Sequence, residues 1–292
     1  MIKNYFLLAS TYCCLVSCSN NGTSSTIYPA PEPDSIAQVF LPGIVSADTL
    51  DFNAAFSPDG KTFYFSRSHN RKYIILESKY NGKAWTTPLP SPLFDTTYSN
   101  ADPFFSQEGD LYFISNRPKS QTDTTDDYDI YRLPENSKGP AKPERLDKIN
   151  SDSTEYYVSL SNNGNIYFAS YRDGNLDLYM SRKTAGQYEK PVNLGPVVNS
   201  ADDEHDPLIA PDESWLVFTS SRPGGQGEAD LYITFKKNGE WQRPRNMGKR
   251  INTKTYEYCP NISPDGKYFF FSSESDVKWI SSKILKEYNA AE

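Results

Sequence analysis

Asn261-Ile262-Ser263-Pro264-Asp265-Gly266-Lys267, followed at once by Tyr268-Phe269-Phe270-Phe271-Ser272, holds a turn and the strand that leaves it. Ser, Pro, Asp and Gly in that order suit a type I turn, because Pro presets φ at the second position and Gly is favoured at the fourth. The aromatic run behind it suits a strand buried on both faces. Degraded copies recur back along the chain: Ser57-Pro58-Asp59-Gly60, Ser106-Gln107-Glu108-Gly109, Ser161-Asn162-Asn163-Gly164 and Ala210-Pro211-Asp212-Glu213. Their spacing of roughly 50 residues is the signature of a propeller or solenoid array. Apolar stretches such as Leu111-Tyr112-Phe113-Ile114 and Trp215-Leu216-Val217-Phe218 follow them, so each turn reads as the tip of a hairpin.

The segment before the turn carries Pro103, Pro207 and Pro260 at one place in the repeat. Pro cannot donate to a strand ladder, so this strand belongs at a sheet edge, which in a propeller blade is the innermost strand at the channel. Further along stand Asp129-Ile130-Tyr131, Asp177-Leu178-Tyr179 and Asp230-Leu231-Tyr232, which open a third strand. Outer-strand marks are Trp85 and Pro88, Pro143, Tyr188 and Pro191, Trp241 and Pro244. The fifth repeat has no outer strand of its own, and Val39-Phe40-Leu41 is expected to supply it. The chain is therefore read as all-β: a five-bladed β-propeller of four-stranded antiparallel blades, its ring closed by an N-terminal strand so that no edge stays open.

Composition agrees with that class, since aromatic residues make up 14% of the chain and favour pleated, half-buried surfaces. A formal net charge of -7 argues against nucleic-acid binding, which needs clustered Lys and Arg to displace phosphate counterions. Cys13, Cys14 and Cys18 crowd the first stretch, where Lys3 is a weak positive region, residues 5–16 are apolar, and Leu15-Val16-Ser17-Cys18 ends the run. Residues 1–17 read as a signal peptide, residues 18–35, rich in Ser, Asn and Pro, as a flexible tether, and residues 36–292 as the propeller. The apolar run is too short for a membrane-spanning helix. With the leader gone only Cys259 remains besides Cys18, so no disulfide within the domain is expected.

The Phe56-Ser57-Pro58-Asp59-Gly60 turn and its copies resemble the TolB-type, WD40-like propeller repeats of bacterial envelope proteins, over roughly residues 38–285. The resemblance implies fold and compartment. The full TolB architecture adds an N-terminal α/β domain and a sixth blade, for which this chain has no room. Similar repeats occur in oligogalacturonate lyases and in domains joined to peptidases or peptidoglycan-binding modules, so fold alone does not set function. Leu15-Val16-Ser17-Cys18 resembles a lipoprotein lipobox, which implies acylation of Cys18 and a lipid-anchored protein, placed here on the periplasmic side.

Chemistry is expected where the loops entering the inner strands and leaving the second strands meet at the channel mouth. Six residues before each turn stand Asp51, Asn100, Glu155, Glu204 and Glu257; two further in stand Asn53, Asp102, Tyr157, Asp206 and Cys259. Second strands end in Arg67, Arg117, Arg172 and Arg222, with Ser273 and Glu274 in the fifth copy, and Glu204-His205-Asp206 breaks the symmetry. One reading makes these groups interblade pairs; the other makes the mouth, with Asp51, Asn53, Arg67, Asn100, Asp102, Arg117, Glu155, Arg172, Glu204, His205, Asp206, Arg222 and Glu257, a polar pocket for a protein or for a cell-wall glycan.

An enzyme of glycosidase- or lyase-like type would use carboxylates among Asp51, Glu155, Glu204 and Glu257; unpaired, channel-facing acids would favour it, and acids salt-bridged to Arg would not. Asp and Gly of the turn are adjacent, unlike a sialidase Asp-box. Only His69 and His205 are present, too few for a lyase-type metal site. The acidic loop at residues 121–127 lacks EF-hand spacing, and Pro223-Gly224-Gly225-Gln226-Gly227 lacks the Lys-Ser/Thr of a phosphate loop. No metal or cofactor is expected. A binding or scaffold module is the preferred reading.

Overall fold

The computed structural model describes residues 27–290, apart from residues 48, 136 and 138–141. The signal peptide, Cys18 and residues 19–26 lie outside the described residues. Five antiparallel sheets succeed one another as blades. Blade one is built from Asp51–Phe56, Thr62–His69, Lys72–Lys79 and Leu89–Pro90, and blade two from Asn100–Phe105, Leu111–Ser115, Asp129–Leu133 and Glu144–Arg145. Blade three comprises Glu155–Leu160, Ile166–Ser170, Asp177–Ser181 and Val192–Asn193. Blade four comprises Glu204–Ile209, Trp215–Ser220, Asp230–Lys237 and Arg245–Asn246, with Glu240–Trp241 also pairing the third strand. Inner strands pack on inner strands, and the first blade meets the fifth.

Blade five takes Tyr258–Ile262, Tyr268–Ser273 and Asp276–Ser281 from the end of the chain and Gln38–Val39 from its beginning. The expected closure is thus present, one residue earlier than Val39. Phe40, fully buried, follows the strand and donates its N–H to the Val277 carbonyl at 2.8 Å.

All five hairpin turns carry the i to i+3 hydrogen bond, from Gly60, Gly109, Gly164, Glu213 and Gly266 back to Ser57, Ser106, Ser161, Ala210 and Ser263. The fourth residue is left-handed in every copy, which explains Gly there in four of them. Glu213, the exception, lies at φ 61° and ties blades three and four together by accepting from Asn165 Nδ2 at 2.6 Å.

Buried second strands face two neighbours at once. In Leu111–Ser115, Tyr112 and Ile114 pack toward blade three, whereas Leu111 and Phe113 pack toward blade one. Side chains alternate across a strand, so a continuous aromatic run supplies both interblade cores. The outer strands of blades one to four each begin directly after one of the marked prolines, Pro88, Pro143, Pro191 and Pro244.

Two features differ from expectation. Residues 27–35, read as tether, lie against the ring: Tyr28 is buried on Tyr268 and Trp279, and Trp85 Nε1 donates to the Ile27 carbonyl at 2.8 Å. Aromatic contacts fix a stretch whose Pro content suggested freedom. A helix, Lys283–Ala290, follows the last strand and buries Ile284 and Leu285 between blades four and five. It is short and has a mixed composition, so its apolar face is not evident from sequence.

Candidate functional site: the two mouths of the channel

Every inner strand carries a bulge at the same place. The residues there, Asn53, Asp102, Tyr157, Asp206 and Cys259, have φ between 42° and 60°. Three of them precede Pro103, Pro207 and Pro260, and the bulge turns their side chains toward the axis instead of along the pleat. Cys259 Sγ lies 3.4 Å from Asp206 Oδ2 and 3.9 Å from Asp102 Oδ1, while the Cys259 N–H donates to Asp206 Oδ2 at 2.9 Å. Tyr157 donates its hydroxyl to the Pro260 carbonyl at 2.7 Å. Asn53, at the matching position in blade one, has neither side-chain atom hydrogen-bonded. Burial and the Asp206 charge push the Asp102 carboxyl well above the usual carboxylate range; burial likewise pushes up the Cys259 thiol.

Around this floor, on the side where the inner strands begin, runs an aromatic collar. Tyr258 packs on Phe52, Phe52 on Tyr73, Tyr73 on Tyr128, Tyr128 on Tyr156 and Tyr156 on Tyr171. Tyr256 meets Tyr258 edge-on and stacks on His205. His205 links collar to floor: Nδ1 is 3.1 Å from Asp206 Oδ1, and Nε2 is 2.5 Å from the Tyr256 hydroxyl. Tyr171 and Tyr256 each remain 38% exposed, which leaves two rings open to a ligand. Burial raises the Tyr156 phenol to about 12.

The outer set of expected residues is placed differently. Asp51 receives Arg67 Nε at 2.5 Å and Nη2 at 3.0 Å, and Asn100 Oδ1 receives Arg117 Nη2 at 3.1 Å. Glu155 and Glu204 each accept an Arg Nη2 at 3.0 Å, from Arg172 and Arg222. The same carboxylates take loop groups four residues upstream: Glu155 from Ser151, Glu204 from Ser200, and Glu257 from Thr253. Glu257 has no Arg, and Ser273 Oγ at 2.7 Å serves it as Ser170 and Ser220 serve the other two. Each Arg also lies over second-strand rings, as Arg222 does over Phe218. These pairs join the loop entering the blade to the end of the second strand. Burial raises the Glu155 carboxyl in spite of its donors. The acids that face the axis without Arg are Asp102 and Asp206.

The acidic loop is internally bonded: Asp123 accepts the Lys119 N–H at 2.8 Å, and Asp127 pairs with Lys119 Nζ at 2.9 Å. In the Gly-rich loop, Gln226 and Gly227 donate their N–H groups to Asp230. A Cβ on Gly227 would stand 2.2 Å from the Thr255 carbonyl oxygen. Among the described residues no cluster of His, Cys, Asp and Glu is arranged to hold a metal ion.

At the opposite mouth, where the hairpin turns lie, the inner strands diverge around a cavity of about 510 Å³. Ala55, Phe105, Leu160, Ile209 and Ile262 bring one wall from each blade, and the C-terminal helix adds Leu285 and Lys286. None of the residues expected to bind a ligand lines it. The signal was in the sequence, as the apolar residue just ahead of each turn.

No family model matches this sequence, and neither does any curated protein. Similarity lies in the fold. A TolB-type protein from Agrobacterium tumefaciens superposes with a TM-score of 0.52 at 19% identity, over 77% of this chain and 70% of that one. The chain is a TolB-like β-propeller in fold. A gluconolactonase from Xanthomonas campestris gives 0.51 at 12% identity over 87% and 96% of the two chains, and the tricorn protease 0.53 at 13% over 81% and 22%. Proteins of such different description share this ring, so the TolB-like propeller must be read from its own two mouths.

Proposed function

We propose that this protein is a lipid-tethered binding module of the bacterial envelope, anchored through Cys18 on the periplasmic side, that recognises a protein or cell-wall glycan partner on the collar face. The aromatic collar carries the reading. Tyr rings present a broad apolar face and a polar tip at low conformational cost, the chemistry of peptide and sugar recognition. Tyr171 and Tyr256 are open while the rings behind them are packed, which gives a pre-ordered surface. Among the described residues no helix is long and apolar enough to cross a membrane, and attachment is assigned to the lipid.

The alternative, a glycosidase- or lyase-like enzyme acting through Asp51, Glu155, Glu204 and Glu257, has less support. Those four are fully buried, and their oxygens are occupied by guanidinium, hydroxyl and N–H donors. A screen of cell-wall fragments, glycans and envelope peptides tests the proposal against a Tyr171→Ala, Tyr256→Ala double variant and a Glu204→Gln, Glu257→Gln double variant. Binding that falls at least tenfold in the Tyr variant supports the collar; undiminished binding there, or turnover lost in the Glu variant, overturns it. Cys18→Ala should shift the chain out of the membrane fraction, and retention would remove the anchor.

A further inference from the structure

The cavity at the turn face is separate from the collar and has a chemistry of its own. Its volume of about 510 Å³ falls in the range of small-molecule sites, which are mostly apolar with a few placed polar groups. Walls come from all five blades, so the space lies on the ring axis and is framed by fixed strand ends. Of the residues lining it, Lys286 alone is charged, in a chain of net charge -7. Lys286 has no ion pair among the described residues, although the helix that carries it is held firmly. Glu287 pairs with Arg250, Tyr288 donates to the Met247 carbonyl, and Ile284 and Leu285 are buried. The helix therefore sets one cation at the rim of an apolar basin whose lining holds no acid.

We infer that this basin binds a single-chain amphiphile with one anionic head, the acyl chain over the axis and the carboxylate at Lys286. Chain and head each meet a matching surface: apolar walls remove the chain from water, and the lone ammonium faces a charge it can pair with. The path of the N-terminus agrees. Tyr28 donates to Asp265 Oδ1 and the Ile27 side chain abuts Gly60, so the chain enters the domain at this same face. Nine residues run from Cys18 to Thr26, a reach of at most about 30 Å. If Cys18 is acylated as proposed above, the basin faces the lipid surface where such amphiphiles reside; the basin's own chemistry does not depend on that anchor.

The test is calorimetric titration of the full chain carrying Cys18→Ala with sodium dodecanoate, dodecanol and dodecyltrimethylammonium, each below its aggregation limit. Dodecanoate should bind one to one and more tightly than the cationic probe. It should shift the emission of Trp215, which lines the basin, with that change absent in Trp215→Phe. Lys286→Glu, at an exposed position, should weaken dodecanoate at least tenfold and leave dodecanol unchanged. Leu160→Trp, filling the basin, should abolish binding of both, while the Tyr171→Ala, Tyr256→Ala variant should bind normally and so separate this site from the collar. Absence of saturable binding, equal binding of the cationic probe, or an unchanged Lys286→Glu affinity overturns the inference. Sedimentation with phosphatidylglycerol vesicles in the absence of dodecanoate binding also overturns it, in favour of a bilayer contact.

Discussion

Gln38 stands opposite Trp279 in an antiparallel pair, and the strand made first is thereby the outer strand of the blade made last. Phe40 follows it into the core between blades five and one, against Phe63, Phe270 and Trp279. Phe40→Ala should cost about 3–5 kcal/mol, the range for emptying a buried aromatic site, whereas Ile36→Ser, 76% exposed, should be near neutral. Denaturant midpoints of the two variants check this, and deletion of residues 36–45 should lower the melting temperature of the whole ring. A Phe40→Ala protein as stable as the parent would refute closure as a source of stability.

Glu204 is the hub of the collar-face loops, with Arg222, Ser200 and Ser220 on its oxygens. Glu204→Ala strands a largely buried guanidinium and should cost about 3–5 kcal/mol. The double variant Glu204→Ala, Arg222→Ala should cost less than the sum of the two single changes. Additive losses in urea unfolding would count against the pairing.

Asp102 makes stability depend on pH in a direction opposite to that of most acids. In the unfolded chain it ionises near 3.9, while in the ring burial and Asp206 hold its carboxyl higher. The folded state thus keeps a proton that the unfolded state releases. The stability this group contributes is fully present below about pH 3.9 and is lost as the pH rises from there through the raised folded value. Asp102→Asn should melt higher than the parent at pH 7, and the advantage should shrink toward pH 4. A constant difference between the two melting curves would exclude the effect.

Two glycines separate conformational freedom from close approach. Gly266, at φ 71° with open space where a Cβ would sit, should lose about 1 kcal/mol as Ala. At Gly227 the Cβ would meet the backbone of Thr255 and Lys254, and about 2–3 kcal/mol is expected from forced repacking. Thermal unfolding ranks the pair; the reverse order would contradict the packing of that loop.

The ring was legible in the sequence because turn chemistry and side-chain alternation are local: Ser263 to Gly266 and the run Tyr268 to Phe271 carry their own geometry. Closure was legible too, from the missing outer strand after Ile280. The site was only half legible. Spacing brought Asn53, Asp102 and Asp206 to one level of the channel, but Arg67, Arg172 and Arg222 each pair with the acid of their own blade and not with a neighbouring blade, because a buried carboxylate takes the nearest donor. Tyr73 lies at the start of a third strand, while Tyr128, Tyr171 and Tyr256 lie in three separate connections; they meet only in three dimensions, so no spacing announces the collar. The basin depends on a helix whose position is set by Arg250 and Met247, far from it in sequence.

The docking of residues 27–35 carries a mechanical consequence. Gln38–Val39 is a two-residue strand, and by itself it would peel under tension. Any pull on the chain upstream of Ile27 must first detach that residue from Trp85, Tyr28 from Asp265 and Glu32 from Tyr268. These contacts act as a strain relief, like the clamp on a cable, and keep load away from the latch that holds the ring shut.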